Sequence, residues 1–507
     1  MATNAPDALA PAARVPLYRT IADAIIRDIR RGRHLEGERL PASRDLARSL
    51  EVNRATVHQA LQLLKREGWI ETNKGGGTRV ARRSSAGPVL GPAPAWDRIA
   101  SSLLLRIVSE PHAAEPAGAV YDLSRLAPDE RDFPAAAFAA LLAEVARDGA
   151  LLAYGSPFGY RPLRETLAHR LERRGIPADP DALLIVNGAQ QGLDLITRAL
   201  VDPLDAVAVE SPSYAGALSL FRAHRARLLG VPLDAEGMDL SAFERALSER
   251  PKFVYTIPDF QNPTGLLASA GRRAEIARRA AAAGVLLVED AFDADLLVEG
   301  ELPPPLAALA PDHVVHLGTI SKALFPGVRV GWIAGPKEFV HRLAALKRVG
   351  ELTSPPVLQA ALNLFLVRGE YDRHLTRTRA RLRNRLALAH RSVRSRFPIG
   401  SAVERPAGGW VLWVRLPEGV SGRALAAAAR EQGVLLSAGA DYLPDQSDVS
   451  AIRVSVARGT AGELEKALEI AGACARDLGR QAARQRKSRA RAARDASEAQ
   501  EAALIQI

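Results

Sequence analysis

The stretch "GTISKALFPGVRVGW", residues 318–332, places Lys322 among apolar residues, and Arg329 follows seven positions later. A lysine ammonium is seldom buried, because its removal from water costs several kcal/mol unless another group compensates. The stretch alone therefore leaves two interpretations open. Either the amine of Lys322 is not a free ammonium, or the stretch is an exposed loop.

A second segment, "NGAQQGLDL" at residues 187–195, follows an apolar run and begins a helical pattern. It places Gly188, Ala189 and Gln190 at a strand-to-helix turn. Backbone N–H groups at the start of a helix bind anions, so this turn is a candidate phosphate site. Turns of small residues are common, and this one carries little weight by itself.

Three more polar side chains follow apolar runs. Tyr214 in "ESPSY" has a ring that can stack on a planar ligand, although a tyrosine of this kind more often belongs to the core. Asn262 in "PDFQNPTG" offers an amide to a phenolate oxygen. Asp290 in "VLLVEDAFDADL" is a carboxylate at the carboxyl end of a strand, where α/β sheets hold ligands.

Together these groups match the needs of pyridoxal 5'-phosphate: an acid at the pyridine nitrogen, an amide at the phenolic oxygen and an anion-binding turn. Bound to the cofactor aldehyde as a Schiff base, Lys322 is not a bare buried ammonium. Thr319, Ser321 and Arg329 can then neutralise the phosphate. Each segment alone is more often structural, but five of them in this order predict a cofactor site.

The segments between these motifs predict an α/β fold. Short apolar runs alternate with helical stretches such as "GRRAEIARRAAAAG"; the runs include "ALLIVN", "AVAVES", "FVYTIP", "VLLVED", "VVHLG" and "VGWIAG". Such alternation predicts a mostly parallel sheet covered by helices. After about residue 370, a long basic helix and a small mixed region predict a second, α+β lobe.

The first 83 residues are rich in basic side chains and predict three helices and a hairpin. The apolar stripes of the first and third helices run through Leu17, Ile21, Ile25 and Ile29, and through Val57, Leu61 and Leu64. The glycine-tipped "WIETNKGGGTRV" then predicts two short strands. This order of elements indicates a winged helix-turn-helix.

The third helix, predicted over residues 53–67 with Asn53 as its N-cap, is the candidate recognition helix. Its first residues meet base edges and phosphates in the major groove: Asn53, Arg54, Thr56 and His58. Arg44 on the preceding helix and Lys74 in the wing would reach phosphates. The alternative is a small basic docking module that does not bind DNA.

Composition favours a globular protein with a polyanionic partner. The 507 residues carry a formal net charge of +11, which suits DNA, although an Arg-rich proteome produces the same balance. The apolar runs are too short to cross a bilayer and a signal peptide is missing, so we expect a soluble intracellular protein. The single Cys474 and the scattered histidines predict no internal disulfide and no structural metal.

Two families resemble parts of the chain. Residues 37–80 resemble the GntR-type winged helix through "LPASRDLA", "VNRATV" and "EGWI". Residues 120–475 look like a fold-type I, aspartate-aminotransferase-like domain through "YGSPFGYRPLR", "NGAQQGLDL", "QNPTG" and "GTISKALFPGVRVGW". A GntR-type winged helix joined to such a domain is the architecture of the MocR group of bacterial transcription regulators, which the chain resembles over nearly all its length.

The resemblance implies a division into four segments. They are a DNA-binding winged helix-turn-helix at 14–82, a linker at 83–119, a pyridoxal-phosphate-binding domain with its small lobe at 120–475, and a basic tail at 476–507. The tail continues a helix for which Thr460 and Glu463 predict a capping box. Its arginine run is more typical of a solvated extension than of a second DNA contact.

The resemblance also assigns roles to the residues around the cofactor ring. It implies that Lys322 binds the cofactor covalently and that Asp290 pairs with the pyridine nitrogen. Asn262 would hold the 3'-oxygen, and Tyr214 would stack on the ring.

The same resemblance implies how the anionic groups are bound. Ser321 and Arg329, with the turn at 188–190, would hold the phosphate. Arg453, in "AIRVSVA", would grip the carboxylate of an incoming amino acid through a bidentate pair. Tyr154 would reach the phosphate of a neighbouring subunit, and the family implies a homodimer that presents two winged helices.

Four positions depart from the family pattern. Phe292 replaces the usual tyrosine and lacks the hydroxyl that would help Asn262 hold the phenolate, which is expected to weaken the chemistry without abolishing it. Asn187 stands where threonine or serine is frequent. Asn53 and His58 replace a frequent serine or threonine and a frequent arginine, which affects base preference rather than fold.

Two functions of different class fit these features. In one, the protein is a cytoplasmic, nucleoid-associated regulator whose rear domain senses an amino compound and reorients the winged helices on DNA. In the other, it is a working aminotransferase with a DNA-tethering module. The winged helix and Phe292 favour the regulator. A third reading, in which the cofactor itself is the signal, stays open.

Overall fold

The computed structural model describes residues 16–30, 33–73, 77–81, 99–101, 103, 104, 107 and 121–505. The chain divides into two compact units, residues 1–99 and 100–507, each of which is described by itself. Most of the linker predicted at 83–119 lies outside the described residues, and so does Lys74 at the tip of the predicted wing.

The front unit contains the three helices and the hairpin that the sequence predicts. They are α1 (Leu17–Arg30), α2 (Ser43–Ser49), α3 (Arg54–Arg66), β1 (Ile70–Asn73) and β2 (Gly77–Val80), and the two strands pair antiparallel. Asn53 caps α3, because its side-chain oxygen accepts a hydrogen bond from the N–H of Ala55 at 2.9 Å. This bond satisfies a free N–H and fixes where the candidate recognition helix begins.

The apolar stripe predicted for α1 is only partly correct. Ile21 and Ile25 are buried, but Leu17 is 56% exposed. Ile29 is half-buried and packs against the same core, so the stripe is correct except at Leu17, the first residue of the helix. In α3 the predicted Leu61 is only partly buried, whereas Leu63 is buried.

The rear unit is built on an eight-stranded sheet. In chain order its strands are β4 (Leu183–Val186), β5 (Ala206–Ser211), β6 (Arg227–Asp234), β7 (Gly237–Met238), β8 (Phe253–Thr256), β9 (Leu286–Asp290), β10 (Val314–Thr319) and β11 (Gly331–Ala334). In space they follow the order β4, β11, β10, β9, β8, β5, β6, β7. β11 is antiparallel to β10 and β4, β7 is antiparallel to β6, and the other neighbours run parallel.

The predicted apolar runs form the centre of this sheet. Every residue of β4, β8 and β10 is buried, because helices cover both faces of the sheet and each face needs apolar side chains. β6 is not among the predicted strands, because its residues near the sheet edge are mostly exposed or half-buried and lack a continuous apolar pattern.

The helices of the rear unit surround the sheet and build the second lobe. They are α4 (Ala135–Val145), α5 (Arg161–Glu172), α6 (Ala189–Leu200), α7 (Ala215–Ala223), α8 (Leu240–Ser248), α9 (Ala270–Ala282), α10 (Leu306–Leu309), α11 (Lys337–Glu351), α12 (Pro356–Val367), α13 (Glu370–Arg396), α14 (Gly422–Glu431) and α15 (Ala461–Ile505). Among the described residues, no helix is long and apolar enough to cross a membrane.

The second lobe follows α13, as predicted. Its four-stranded sheet has the order β12 (Ala402–Val403), β13 (Val411–Arg415), β16 (Ala451–Ser455) and β15 (Ser437–Ala438). A separate parallel pair joins β3 (Tyr121–Asp122) to β14 (Val434–Leu435), a contact that no local pattern predicts. The predicted capping box at the start of α15 is confirmed, because the N–H of Glu463 donates to Thr460 Oγ1 at 3.2 Å and the carboxylate of Glu463 accepts from the N–H of Thr460.

Candidate functional site

A cavity of about 370 Å³ lies in the rear unit, beside the carboxyl ends of β9 and β10. Its wall contains all but one of the predicted cofactor and substrate residues: Gly188, Ala189, Gln190, Tyr214, Asn262, Asp290, Thr319, Ser321, Lys322, Arg329 and Arg453. The exception is Tyr154, which is outside this wall and 85% exposed. Parallel strands end at one edge of a sheet, which is why residues distant in sequence meet there.

The turn between β4 and α6 forms one end of the cavity. Gly188 is the N-cap of α6 and has a φ of 85°, which glycine adopts far more readily than other residues. A Cβ at this position would lie only 3.0 Å from the guanidinium nitrogens of Arg329. The N–H groups at the helix start and this guanidinium thus form a site suited to an anion.

Arg329 lies at this turn with an unusual backbone conformation and a hydrogen bond from its side chain. Its φ of 48° lies in the left-handed region, which costs a non-glycine residue on the order of 1 kcal/mol. Its guanidinium donates a hydrogen bond to the backbone carbonyl of Asn187. Nearby, the N–H of Ser321 donates to Thr319 Oγ1 at 3.2 Å, and both side chains are buried.

The amine of Lys322 is directed inward rather than into solvent. Nζ donates a hydrogen bond of 2.6 Å to the backbone carbonyl of Leu126. Burial lowers the pKa of this amine, while the negative charges of Asp293 and Asp290 oppose the shift. The interpretation of this stretch as an exposed loop is therefore wrong, because most of its residues are buried and the half-buried Lys322 turns its amine inward.

Asp290 is buried at the end of β9. Its Oδ2 accepts a 2.7 Å hydrogen bond from the hydroxyl of Tyr255, while Oδ1 is buried and has no hydrogen-bond partner among the described residues. Burial raises the pKa of this carboxyl to about 6, against the lowering effect of the Tyr255 hydroxyl. An unpaired buried carboxylate oxygen on a cavity wall is suited to a cationic nitrogen donor, which fits the predicted pyridine partner.

Asn262 and Arg453, which both line the cavity, are hydrogen-bonded to each other. Arg453 Nη1 donates to Asn262 Oδ1 at 3.1 Å, so the amide nitrogen of Asn262 remains as the group able to donate to a phenolic oxygen. The guanidinium also lies 5.0 Å from the ring centroid of Tyr442 and donates to the carbonyl of Ser124. Its Nε is buried and lacks a partner among the described residues, which leaves a donor for an anion.

The side chain of Tyr214 contacts Gln190, which belongs to the turn at residues 188–190. The hydroxyl of Tyr214 donates to Gln190 Oε1 at 3.2 Å, and burial raises the pKa of this hydroxyl to about 12. Phe292, one of the departures from the family pattern, also lines the cavity and is buried. The second departure, Asn187, directs its side-chain amide to Glu351 at 2.8 Å.

The described members of the predicted DNA contacts lie on α2 and on the first turns of α3. Arg44, Asn53, Arg54 and His58 are exposed, and Thr56 is half-buried. The side-chain oxygen of Asn53 already accepts the capping bond, so only its amide nitrogen is available to a base or a phosphate.

Comparison with known families accounts for both units. The family of bacterial regulatory proteins called gntR matches residues 17–80, and the aminotransferase class I and II family matches residues 122–470. The chain belongs to the MocR group. Its front unit is a GntR-type winged helix, and its rear unit is a fold-type I aminotransferase-like domain.

Two relatives from Bacillus subtilis (strain 168) share both parts of this MocR-type chain. The HTH-type transcriptional regulator YdfD is 31% identical over 472 residues, which cover 92% of this chain and 97% of YdfD. The HTH-type transcriptional regulator YisV is 33% identical over 478 residues, with the same shares covered. These relatives match the winged helix and the aminotransferase-like domain in one chain.

The rear unit of the MocR-type chain is also similar to a solved enzyme. LysN, an alpha-aminoadipate aminotransferase of Thermus thermophilus, was crystallised with N-(5'-phosphopyridoxyl)-L-leucine. Its structure superposes with a TM-score of 0.67 at 29% identity, covering 75% of this chain and 96% of LysN.

Sequence reasoning missed two side chains that shape the cavity of this MocR-type protein. Tyr255 holds Asp290, and Glu351 holds the residues of the anion-binding turn. Tyr255 had a usable signal, because a tyrosine inside a fully buried strand needs a partner for its hydroxyl. No sequence signal identified Glu351, because it ends a helix that is far from the turn in the sequence and has an ordinary surface pattern.

Proposed function

We propose that this MocR-type protein is a DNA-binding transcription regulator whose rear domain binds pyridoxal 5'-phosphate and senses an amino compound, or the cofactor itself. The proposed division assigns DNA binding to residues 14–82, cofactor binding to 120–475 and no separate function to the tail at 476–507. The protein would act in the cytoplasm, associated with the nucleoid.

One observation carries the proposal. Lys322, Asp290 and the turn formed by Gly188 and Arg329 line the same cavity, in a chain that also has a winged helix. An amine of lowered pKa, an unpaired carboxylate oxygen and an anion site match the aldehyde, the ring nitrogen and the phosphate of the cofactor. LysN, whose structure contains a phosphopyridoxyl group, supports the same assignment.

Each residue has a task that its surroundings favour. When bound, pyridoxal 5'-phosphate supplies an aldehyde that reacts with amines and a ring that withdraws electrons. Lys322, whose pKa is lowered by burial, provides a neutral amine at lower pH than a surface lysine does. Asp290 would hold a proton on the ring nitrogen, and the amide of Asn262 would donate to the phenolic oxygen.

Arg453 supports an amino compound with a carboxylate as the signal. Its guanidinium is buried at the cavity wall, and the unpaired Nε can bind a carboxylate oxygen. An effector acts on the winged helices only through different affinities for two states of the protein. We therefore expect the amino compound to alter DNA affinity rather than merely occupy the cavity.

A second copy of the chain would complete the assembly. Tyr154 and Leu352 are exposed although they are large and apolar, and Gly155 packs against Pro356 near both of them. Such an exposed apolar surface is typical of a protein interface. The homodimer would bring Tyr154 to the partner's phosphate site and present two winged helices to one operator.

The test is the visible absorption spectrum of the purified protein after addition of pyridoxal 5'-phosphate. Lys322→Ala should lose the band, while the control Lys337→Ala, an exposed lysine paired with Asp179, should keep it. Amino acids are then added one at a time, with keto acid and operator affinity measured in parallel. A band that shifts with one amine, with changed DNA affinity and no keto acid, is the expected result.

The other outcomes separate the alternatives. Keto acid released with turnover would favour an aminotransferase with a DNA-tethering module. A protein that binds no cofactor even when it is supplied would overturn the proposal for the rear domain.

A further inference from the structure

Glu351 is the last residue of α11 and its carboxylate lies behind the anion-binding turn. Three side chains donate to it. Asn187 Nδ2 reaches Oε1 at 2.8 Å, Ser354 Oγ reaches the same oxygen at 2.6 Å, and Gln191 Nε2 donates to Oε2. Both carboxylate oxygens are thereby engaged, and Lys347 Nζ lies 3.9 Å from Oε1.

The contacts continue from Glu351 to the guanidinium at the cavity. Gln191 uses its amide nitrogen on Glu351, and its Oε1 accepts the backbone N–H of Asn187 at 2.7 Å. The carbonyl of Asn187 in turn accepts from Arg329. Asn187 is therefore fixed at its side chain by Glu351, at its N–H by Gln191 and at its carbonyl by Arg329.

The ionised state of Glu351 suits this task. Burial by itself raises the pKa of the carboxyl, but the hydrogen bonds from Ser354 and Gln191 and the charge of Lys347 lower it overall. Hydrogen bonds to a carboxylate are shorter and stronger than those between neutral groups. A charged acceptor at this place restrains the turn more firmly than a neutral one would.

We propose that Glu351 is a positioning residue that holds the 187–191 turn and Arg329 in the geometry required for a phosphate monoester. This inference rests on the proposed function, because it names what orders the phosphate end of the same site. Glu351 itself does not line the cavity, so it acts through Asn187 and Gln191.

The variant Glu351→Gln isolates this role. Glutamine at position 351 keeps the volume of glutamate and one acceptor oxygen. If its NH2 group takes the place of Oε2, it faces the side-chain nitrogen of Gln191, which is itself a donor. If the side-chain amide of Gln191 flips to correct this clash, its oxygen no longer accepts the N–H of Asn187. In every orientation of the new amide a neutral acceptor replaces the charged carboxylate, so the restraint on the turn is weaker.

The experiment compares two ligands that differ only in the phosphate. Affinities for pyridoxal 5'-phosphate and for pyridoxal are measured in the full-length wild type, in Glu351→Gln and in Glu338→Gln. Glu338 is the matched control, because it lies on the same helix, is exposed and pairs with Arg342. Glu351→Gln should bind pyridoxal 5'-phosphate about tenfold more weakly and pyridoxal equally well, whereas Glu338→Gln should match the wild type.

Two results would overturn the inference while the cofactor proposal stands. One is unchanged affinity for both ligands in Glu351→Gln, and the other is an equal loss for both, which would indicate general loosening of the domain. Binding of neither ligand by the wild type would instead contradict the proposed function.

Hydrogen exchange of the ligand-free protein tests the positioning role without any cofactor. The N–H of Asn187, bonded to Gln191 in the structure, should exchange faster in Glu351→Gln while the amides inside α6 stay protected. Equal exchange in the wild type and the variant would refute the role, whether or not the cofactor binds.

Discussion

The proposed cofactor cavity and the candidate recognition helix differ in how their residues are brought together. The cavity draws its residues from the ends of β4, β9 and β10 and from the small lobe, and most of them are buried. The recognition helix presents neighbours in sequence, of which Arg54 and His58 are exposed on one turn of α3. Function in the first region depends on long-range packing, and in the second on local helix geometry.

This difference has an energetic consequence. A buried charge in the cavity is expensive without its ligand, so a substitution there changes both ligand affinity and the stability of the free protein. An exposed arginine on α3 contributes little to folding, so its loss should change DNA affinity alone. The following substitutions test this contrast.

The largest effect is expected for Asp290→Asn. Loss of the carboxylate opposite a ring nitrogen should weaken pyridoxal 5'-phosphate binding by about 3 kcal/mol, roughly a hundredfold or more, measured by titration at pH 8. The free protein should become more stable, because burial raises the pKa of Asp290 to about 6 and its ionised form therefore opposes folding above that pH. A variant with weaker binding and a lower melting temperature would contradict this account. The control is Asp295→Asn, which changes a carboxylate a few residues along the chain.

A smaller effect, visible in the pH dependence, is expected for Tyr255→Phe. Cofactor affinity of the wild type should fall as the pH decreases through about 6, because Asp290 takes up a proton there. The hydroxyl of Tyr255 favours the ionised carboxyl, so its removal should raise the pKa of Asp290 and move the fall to higher pH. Affinity measured from pH 5 to 9 checks this, and an unmoved midpoint would show that the bond does not tune Asp290.

Arg54→Ala should affect DNA binding without affecting the cavity. If Arg54 contacts a phosphate, the slope of log affinity against log salt concentration should decrease by about 1, with the melting temperature and the cofactor spectrum unchanged. Fluorescence anisotropy with an operator fragment at several salt concentrations gives the slope. A change in the spectrum would show that the two regions are less independent than their burial suggests.

The smallest effect is expected at Asn53, where the two roles can be separated. Asn53→Ala removes the cap of α3 and should cost about 1 kcal/mol of stability in the front unit, while Asn53→Ser keeps a capping oxygen and should cost much less. Thermal unfolding measures both. If both variants lose the same DNA affinity despite different stabilities, the amide nitrogen of Asn53 contacts DNA.

The residues predicted for a cofactor site line one cavity, apart from Tyr154, which was predicted to serve a neighbouring subunit; they meet because each motif ends a strand and α/β sheets bring such ends together. Prediction from the sequence failed where packing has no local signature. β6 carries a mixed pattern near a sheet edge, and the β3–β14 pair joins segments that are far apart in the sequence. In α1, the predicted stripe reaches one residue too far, because Leu17 at the start of the helix is exposed.

The sequence by itself determined the elements of the front unit, most of the buried strands of the large sheet and which polar side chains follow those strands, since these features follow from periodicity and from side-chain types at strand ends. Only the tertiary structure decided which partner each polar side chain has. Asn262 meets Arg453, Asp290 meets Tyr255, and Asn187 meets Glu351. The physical reason is that these contacts depend on sheet register and helix packing across long stretches of chain, whereas local patterns fix only the face on which a residue lies.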